Sequence, residues 1–278
     1  MATTATSPPS PGPPEPGSAG QRLATTTRVG ILGALGALTL LAWLTLVQIG
    51  RGAMPAGMAG MAMAPPAPTL ADLALGFAMW AVMMPGMMLP SAAPMILTVA
   101  RVHGSRQTRP GAHSGATLPV AAFVAGYLLV WAGFSAVAAL AQWGLARGGL
   151  VAGMDARVGP VLGGALFAAA GIYQLSPLKQ ACLGSCRSPL GFLLAYWRDG
   201  SGGALRMGVR HGAVCLGCCW ALMALLFAVG TMNLVWVAGL GGLVLVEKLA
   251  PGGGWVARAS GVGMVVAGVA LAGGFVPV

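Results

Sequence analysis

The sequence predicts an all-α fold: a polytopic bundle of about seven transmembrane helices with a cytoplasmic N-terminus. The chain of 278 residues is 57% hydrophobic and only 7% charged, whereas a soluble domain carries about 25% charged residues. Its apolar residues form long runs, and a membrane span needs about 20 such residues. The net charge of +10 comes from basic residues between these runs, where they favour membrane topology and lipid contact over nucleic-acid binding.

Residues 1–28 are predicted to be a disordered tail, because they are rich in Pro, Ser and Thr and poor in apolar residues. Residues 29–278 are predicted to form the membrane bundle. Its apolar runs cover residues 29–49, 70–100, 118–140, 158–175, 209–230, 234–246 and 255–275. The first run exceeds the roughly 7–15 residues of a signal-peptide core, which favours an uncleaved signal anchor over a cleaved signal peptide.

The basic residues predict the orientation of the bundle. With the N-terminus in the cytoplasm, twelve Lys and Arg fall on the inner side, and three, Arg51, Arg147 and Arg157, fall outside. Such an asymmetry is typical of correctly oriented membrane proteins. The same orientation places the inner end of the fifth run, with its cysteines, in the cytoplasm.

The fifth run begins with a concentration of soft metal ligands. A helix would place five side chains within a narrow sector of one face: Met207, His211, Cys215, Cys218 and Cys219. Thiols and thioethers select Cu(I), zinc or iron–sulfur centres. A single buried cysteine would be ordinary core packing, but three within five residues, one turn after a histidine, predict a metal site.

The two remaining cysteines, Cys182 and Cys186, lie in the polar segment 176–207. This segment is predicted to be a loop, because Pro177 and Pro189 discourage a continuous helix. Residues 192–197 within it are amphipathic enough to lie on the membrane surface. A reducing cytoplasm favours free thiols or thiolate ligands over disulfides here.

If this loop folds back, four thiols would close one tetrahedral site: Cys182, Cys186, Cys215 and Cys218. His211 or Cys219 would be able to replace any one of them. The spacing C-x₃-C is not that of a standard zinc knuckle, so the ligand set and the choice between copper and zinc stay open.

The second run carries a methionine stripe, which consists of Met79, Met83, Met84, Met87 and Met88, followed by Met95. Pro85 and Pro90 within it should kink the helix and free backbone carbonyls. The stripe is predicted to contribute thioether ligands to a metal path. The alternative is ordinary packing, since methionine is a common gap-filler in apolar cores.

The outer loop before that run contains Met54, Met58, Met61 and Met63 among Gly, Ala and Pro. Because no core can form in such a sequence, we predict an outer arm that captures metal. A low-complexity linker is the alternative. Elsewhere, His103 and His113 are predicted to be solvated. The pair Glu247–Lys248 is predicted to be structural, pairing with loop arginines; the alternative is a functional pair that faces the bundle.

Several motifs resemble those of a bacterial family of predicted metal-binding integral membrane proteins, domain of unknown function 2182. They are Met79-Trp80 with Met83-Met84-Pro85, Tyr173-Gln-Leu-Ser-Pro177-Leu-Lys179, Cys182-Leu-Gly-Ser-Cys186, Cys215-Leu-Gly-Cys218-Cys219-Trp220, and Glu247-Lys248. The resemblance covers residues 70–251. It implies a multi-pass protein of the bacterial inner (cytoplasmic) membrane, and it is compatible with a small soluble metal-handling partner.

Together these features favour a membrane protein that binds a soft metal, Cu(I) first and zinc second, for transport, delivery or homeostasis. No catalytic residues are predicted. One alternative is a membrane thiol-disulfide oxidoreductase that uses Cys215/Cys218 and Cys182/Cys186. Another is a membrane anchor or assembly scaffold for a soluble partner. Homo-oligomerisation is left open.

Overall fold

The computed structural model describes residues 18–52, 68–107, 117–151 and 157–275. Over these ranges the fold is all-α, with one isolated antiparallel bridge between Val151 and Val158. The helices are α1 (Ser18–Gly52), α2 (Leu70–Gln107), α3 (Thr117–Arg147), α4 (Pro160–Leu175), α5 (Pro177–Arg187), α6 (Pro189–Tyr196), α7 (Gly200–Ala224), α8 (Leu226–Val229), α9 (Leu234–Leu249) and α10 (Gly253–Ala272). The predicted all-α class is confirmed.

Five of the described helical segments are long and apolar enough to cross a membrane: α1, α2, α3, α7 together with α8, and α10. A sixth span results if α4 and α5, which are bent by 63° relative to each other, cross as one broken element. Helix α9 has only 16 residues. Each predicted apolar run is thus helical, while the count of seven spans stays a prediction.

The distribution of polar and apolar side chains suits an apolar surrounding. Val235 and Leu194 are 81% and 79% exposed, whereas the ionised pair Lys179 and Glu247 is almost completely buried. Soluble proteins rarely bury such charges, and they rarely expose large contiguous apolar surfaces. The outward faces of the helices therefore fit contact with lipid.

The segment 176–207 was predicted to be a loop, and this prediction is wrong. It contains α5, α6 and the beginning of α7, and both of its prolines stand at helix starts. Proline is favoured at the first helical position, where its missing N–H has no intrahelical partner. The Ser176 hydroxyl caps α5 by accepting a hydrogen bond from the Lys179 amide. The prolines therefore separate helices here without preventing them.

Glycines allow the helices that carry the site to approach closely. A Cβ atom at Gly208 of α7 would overlap the carbonyl oxygen of Phe123 in α3, and one at Gly126 would overlap that of Leu205. Helices α4 and α10 meet in the same way at Gly164 and Gly268. Small residues at such crossings are typical of membrane helix pairs. They fix α3 directly against the cysteine-bearing helix.

Some predictions fall on residues outside the described ranges: the metal-capture arm at Met54, Met58, Met61 and Met63, solvated His113, and most of the tail. Helix α1 begins at Ser18, inside the predicted tail of residues 1–28. The prediction for His103 is wrong. This side chain is buried, with its ring 4.7 Å from that of Trp197, because α6 and the residue that follows it pack against α2.

Candidate metal centre

One face of α7 carries the predicted soft ligands, and all of them are buried. The side chains of Met207, His211, Cys215, Cys218 and Cys219 are each at most 3% exposed. Their burial follows from the close packing of α7 against α3 on one side and from its contacts with α5 and α9 on another. The helical spacing predicted from the sequence therefore becomes a continuous internal surface of the bundle.

Cys215 lies at the centre of this surface. Its sulfur accepts a hydrogen bond from the Lys248 ammonium at 2.9 Å and lies 3.1 Å from the Tyr127 hydroxyl. The Lys248 ammonium also donates to the Ser91 hydroxyl at 3.2 Å. Side chains from α3 and α9 thus meet at a single thiol of α7, and Ser91 of α2 contacts the ammonium. Such a meeting of polar groups inside an apolar bundle makes this surface the candidate functional site.

Two further sulfur pairs flank Cys215. Cys186 Sγ of α5 lies 4.0 Å from Cys218 Sγ, and Cys219 Sγ lies 3.9 Å from Met88 Sδ of α2. A metal–thiolate bond is about 2.3 Å long, so two sulfurs that share one ion lie about 3.8 Å apart in tetrahedral geometry and about 4.6 Å apart when opposed. Both pairs therefore have separations that suit a shared soft metal ion.

Two of the thiols also form hydrogen bonds within α7. Cys218 and Cys219 both donate to the carbonyl oxygen of Cys215, each at 3.0 Å. Back-bonding of this kind is common for small polar side chains in helices. A metal ion would displace the two thiol protons. Metal binding would therefore break these two hydrogen bonds.

The structure does not present the predicted four-thiol site ready-made. Over the described part of the chain, no three His, Cys, Asp or Glu side chains are grouped so as to hold a metal ion. Cys182 is partly exposed and lies beside Gly217 of α7, where an added Cβ would come within 3.0 Å of its sulfur. The tetrahedral set of Cys182, Cys186, Cys215 and Cys218 stays a prediction.

His211 is buried in an aromatic surrounding. Its ring centre lies 5.9 Å from that of Phe123, 5.8 Å from that of Tyr127 and 5.3 Å from that of Phe192. Its Nδ1 atom has no hydrogen-bond partner among the described residues. Because a buried polar atom is normally paired, this nitrogen is available to a ligand and suits the predicted role in a soft-metal site.

The methionines of α2 are all buried: Met79, Met83, Met84, Met87, Met88 and Met95. Helix α2 continues through its internal prolines without interruption. Met88 is the member that the structure places against a thiol, while Met87 faces Gly241 of α9. Burial of this kind also fits ordinary packing, so the metal path along the stripe stays a prediction.

A second polar cluster lies next to the thiols. The Lys179 ammonium forms an ion pair with the Glu247 carboxylate at 2.7 Å, and the Gln174 amide donates to that carboxylate at 2.7 Å. Lys179 also donates to the Gln174 side-chain oxygen. Glu247 was predicted to pair with loop arginines, and this is wrong: Arg187 donates instead to its main-chain carbonyl, at 3.3 Å.

This cluster helps to position the groups around Cys215. Arg187 follows Cys186 directly and also donates to the carbonyls of Ala250 and Pro251, at 2.7 and 2.8 Å. It therefore ties the end of α5 to the end of α9. The two ends carry Cys186 and Lys248, so the same contacts bring a thiol and an ammonium to α7.

Two residues that contact Cys215, Tyr127 and Lys248, were not among the predicted site residues. Tyr127 gave no signal, because an aromatic residue in an apolar run is ordinary. Lys248 gave one: an ionisable side chain in an apolar helix is functional by default. Because Glu247 is adjacent, Lys248 was interpreted as one half of a structural charge pair.

The comparison with protein families agrees with this chemistry. Residues 77–271, which include all five cysteines, match the family described as PpoB2, copper chaperone. The chain belongs to the PpoB2 copper chaperone family. No curated protein and no solved structure matches it.

Membership of the PpoB2 family supports a copper-related function. A copper-related function fits the sulfur pairs, since thiolate and thioether ligands suit Cu(I). It also fits the His211 Nδ1 atom, which has no hydrogen-bond partner among the described residues, since imidazole suits copper generally. The metal-related part of the sequence-based resemblance is therefore supported, although under a different family name.

Proposed function

We propose that this protein is a membrane-embedded copper chaperone that holds Cu(I) between thiols where α2, α5, α7 and α9 meet. The observation that carries this proposal is the pairing of Cys186 with Cys218 across two helices, at a sulfur separation of 4.0 Å. Cys215 and the Cys219–Met88 pair adjoin it. Family membership supplies the identity of the metal.

In the proposed topology, the helices cross the bacterial inner membrane and the N-terminus lies in the cytoplasm. The thiols then lie near the cytoplasmic face. Three arginines at the start of α7 support this orientation. They are Arg198, Arg206 and Arg210, and they line a cavity of about 560 Å³. Cytoplasmic segments of membrane proteins are enriched in such residues.

The proposed copper path runs from the outer methionine loop, along the buried stripe of α2, to the thiols. Met88 supports it, because this thioether connects the stripe to Cys219. Thioethers bind Cu(I) as neutral ligands, whereas thiolates add charge. Copper therefore gains affinity as it moves inward, and a soluble partner would receive it from, or bring it to, the thiol end.

The test is the copper content of the detergent-purified protein after loading with Cu(I) under reducing conditions and removal of excess metal. We expect about one copper per chain in the wild type and background copper in Cys186→Ser/Cys218→Ser. Cys182→Ser is the matched control, because its sulfur lies outside both pairs, and it should retain copper. Equal copper in the wild type and the double variant would refute the site.

A thiol-disulfide oxidoreductase is the second candidate, because the sulfurs of Cys186 and Cys218 lie 4.0 Å apart. All five cysteines are free in the structure. Thiol counting on the same samples separates the two functions. Thiols that cycle between free and paired forms without bound copper would favour the oxidoreductase, and function that survives loss of every cysteine would favour a scaffold.

A further inference from the structure

A basic cavity lies where the turn after α6 meets the start of α7. Its volume is about 560 Å³, and three arginines line it: Arg198, Arg206 and Arg210. None of the described residues that line this cavity is acidic. Asp199 is the acidic residue nearest to them in sequence, and one carboxylate cannot balance three guanidinium groups. The cavity therefore presents an excess of positive charge to a ligand.

The position of Arg198 is fixed by the packing of its turn. Trp197 contacts the buried ring of His103 in α2, with the ring centres 4.7 Å apart, and its indole N–H donates to Asp199 at 2.9 Å. A Cβ atom at Gly203 would lie 2.8 Å from the Arg198 backbone, so the first turn of α7 lies directly against this turn. The cavity wall at Arg198 is therefore part of the packed fold.

The other two arginines share one face of α7. Arg206 and Arg210 are four residues apart, and side chains at this spacing are neighbours on a helix. The central guanidinium carbon of Arg210 lies 3.7 Å from the centre of the Tyr196 ring, which is a cation–π distance. This contact orients one guanidinium group at the cavity. Guanidinium groups bind phosphate oxygens through paired, charge-assisted hydrogen bonds, so the cavity suits a phosphate group.

Apolar and amphipathic side chains surround the arginines. Val209 lines the cavity, and Leu194, which precedes the lining residue Ala195, is 79% exposed. Tyr196 and Trp197 also line it, and both residue types are enriched where a membrane meets water. The acyl chains of a phospholipid suit such side chains, whereas a soluble phosphate compound makes no use of them.

We propose that this cavity binds the headgroup of an anionic phospholipid, with the phosphate at the arginines and the acyl chains along the exposed apolar side chains of α6 and α7. The inference rests on the membrane location in the proposed function and is independent of copper binding. The cavity has the volume of a small-molecule site. Basic pockets on the cytoplasmic side of membrane proteins bind anionic headgroups. An acidic protein would match the charge and leave the apolar side chains without a partner.

The experiment measures the lipid that the delipidated, detergent-purified chain retains after incubation with equal amounts of phosphatidylglycerol and phosphatidylcholine. The wild type should retain the anionic lipid preferentially. In Arg206→Gln/Arg210→Gln, we expect the ratio of the two retained lipids to fall on the order of tenfold, because each basic residue near a membrane surface adds several-fold to the attraction of anionic lipid.

The matched control is Arg28→Gln/Arg258→Gln. It removes two exposed arginines that are predicted to lie on the same side of the membrane and that do not line the cavity. Because the net charge changes equally in the two double variants, the control should keep the lipid ratio of the wild type. An equal fall in both variants would overturn the inference, since it would show a general effect of charge.

The other occupants have their own outcomes. Equal retention of the two lipids by the wild type would overturn the inference, and this result does not depend on whether a variant folds. Displacement of phosphatidylglycerol by an equal concentration of glycerol phosphate would assign the cavity to a soluble phosphate compound. Binding of a polyglutamate peptide through the same two arginines, without a lipid preference, would assign it to an acidic protein. A wild type that selects the anionic lipid but binds no copper would refute only the proposed function.

Discussion

The two buried lysines of this protein lie close together and have opposite surroundings. Lys179 is enclosed by the carboxylate of Glu247 and the amide of Gln174, so that its charge is fully compensated. Lys248 contacts a thiol and a hydroxyl and has no carboxylate among the described residues. The comparison shows that burial alone does not define a role. A closed ion pair holds helices together, whereas the Lys248 ammonium places a positive charge beside the Cys215 sulfur.

The largest effect is expected from breaking the ion pair between Lys179 and Glu247. Lys179→Met leaves the Glu247 carboxylate buried without its cation, which costs about 3–5 kcal/mol. We expect a large fall in the thermal unfolding temperature and in the yield of monodisperse protein in detergent.

The matched control is Lys179→Met/Glu247→Leu, which removes both charges. Because apolar replacements of a buried ion pair are often neutral, the double variant should recover most of the lost stability. Lys248→Met should cost much less than Lys179→Met, since it leaves no carboxylate behind. Equal destabilisation by the two lysine substitutions would abolish the distinction between them.

A smaller effect is expected from displacing α7, the helix that carries Cys215, Cys218 and Cys219, while the ion pair stays intact. In Gly208→Ala, the new Cβ overlaps the Phe123 carbonyl and pushes α7 away from α3, which should cost about 1–3 kcal/mol and lower copper occupancy. Gly202→Ala is the control, because its Cβ meets no atom within 4 Å. Thermal unfolding and copper content measured on both variants check this prediction; full copper occupancy in Gly208→Ala would contradict it.

Tyr127→Phe removes one hydroxyl that contacts the Cys215 sulfur at 3.1 Å and the Met88 carbonyl at 3.3 Å. A hydrogen bond of this kind contributes about 0.5–1.5 kcal/mol, so Cu(I) affinity should weaken by about two- to tenfold. Competition with a Cu(I) chelator measures it. Tyr196→Phe, at a partly exposed ring, should bind as the wild type does; an identical loss in both variants would argue against a specific role for Tyr127.

The smallest effect is expected for Met88→Leu. The two side chains have similar volumes, so stability should change by less than about 1.5 kcal/mol, while the thioether beside Cys219 is lost. We expect a few-fold weaker Cu(I) binding in the chelator assay. Met264→Leu in α10 removes a buried thioether far from the thiols in sequence and is the control. No difference between the two variants would assign Met88 to packing.

The differences between the predicted and observed folds have local causes. Pro177 and Pro189 are compatible with either a loop or two helix starts. Both occupy the first helical position, and the Ser176 side chain caps the helix that Pro177 begins. His103 looked solvated because its neighbours in sequence are basic. Its burial comes from Trp197, almost a hundred residues later, and no local pattern carries that information.

The sequence by itself determined the all-α class, the long apolar helices and the alignment of His211 with three thiols on one face of α7. These properties depend on composition and on a period of 3.6 residues, so they are local. The copper-related chemistry follows from the same residue types.

Only the tertiary structure decided which of these groups meet. Cys186 joins Cys218 across 32 positions, Lys248 joins Cys215 across 33, and Met88 joins Cys219 across 131. Such contacts depend on helix crossings and on the bend at Ser176, which side-chain volumes fix collectively. Adjacent Glu247 and Lys248 show the physical reason most simply: the helix turns them in different directions, and the neighbouring helices determine what each one faces.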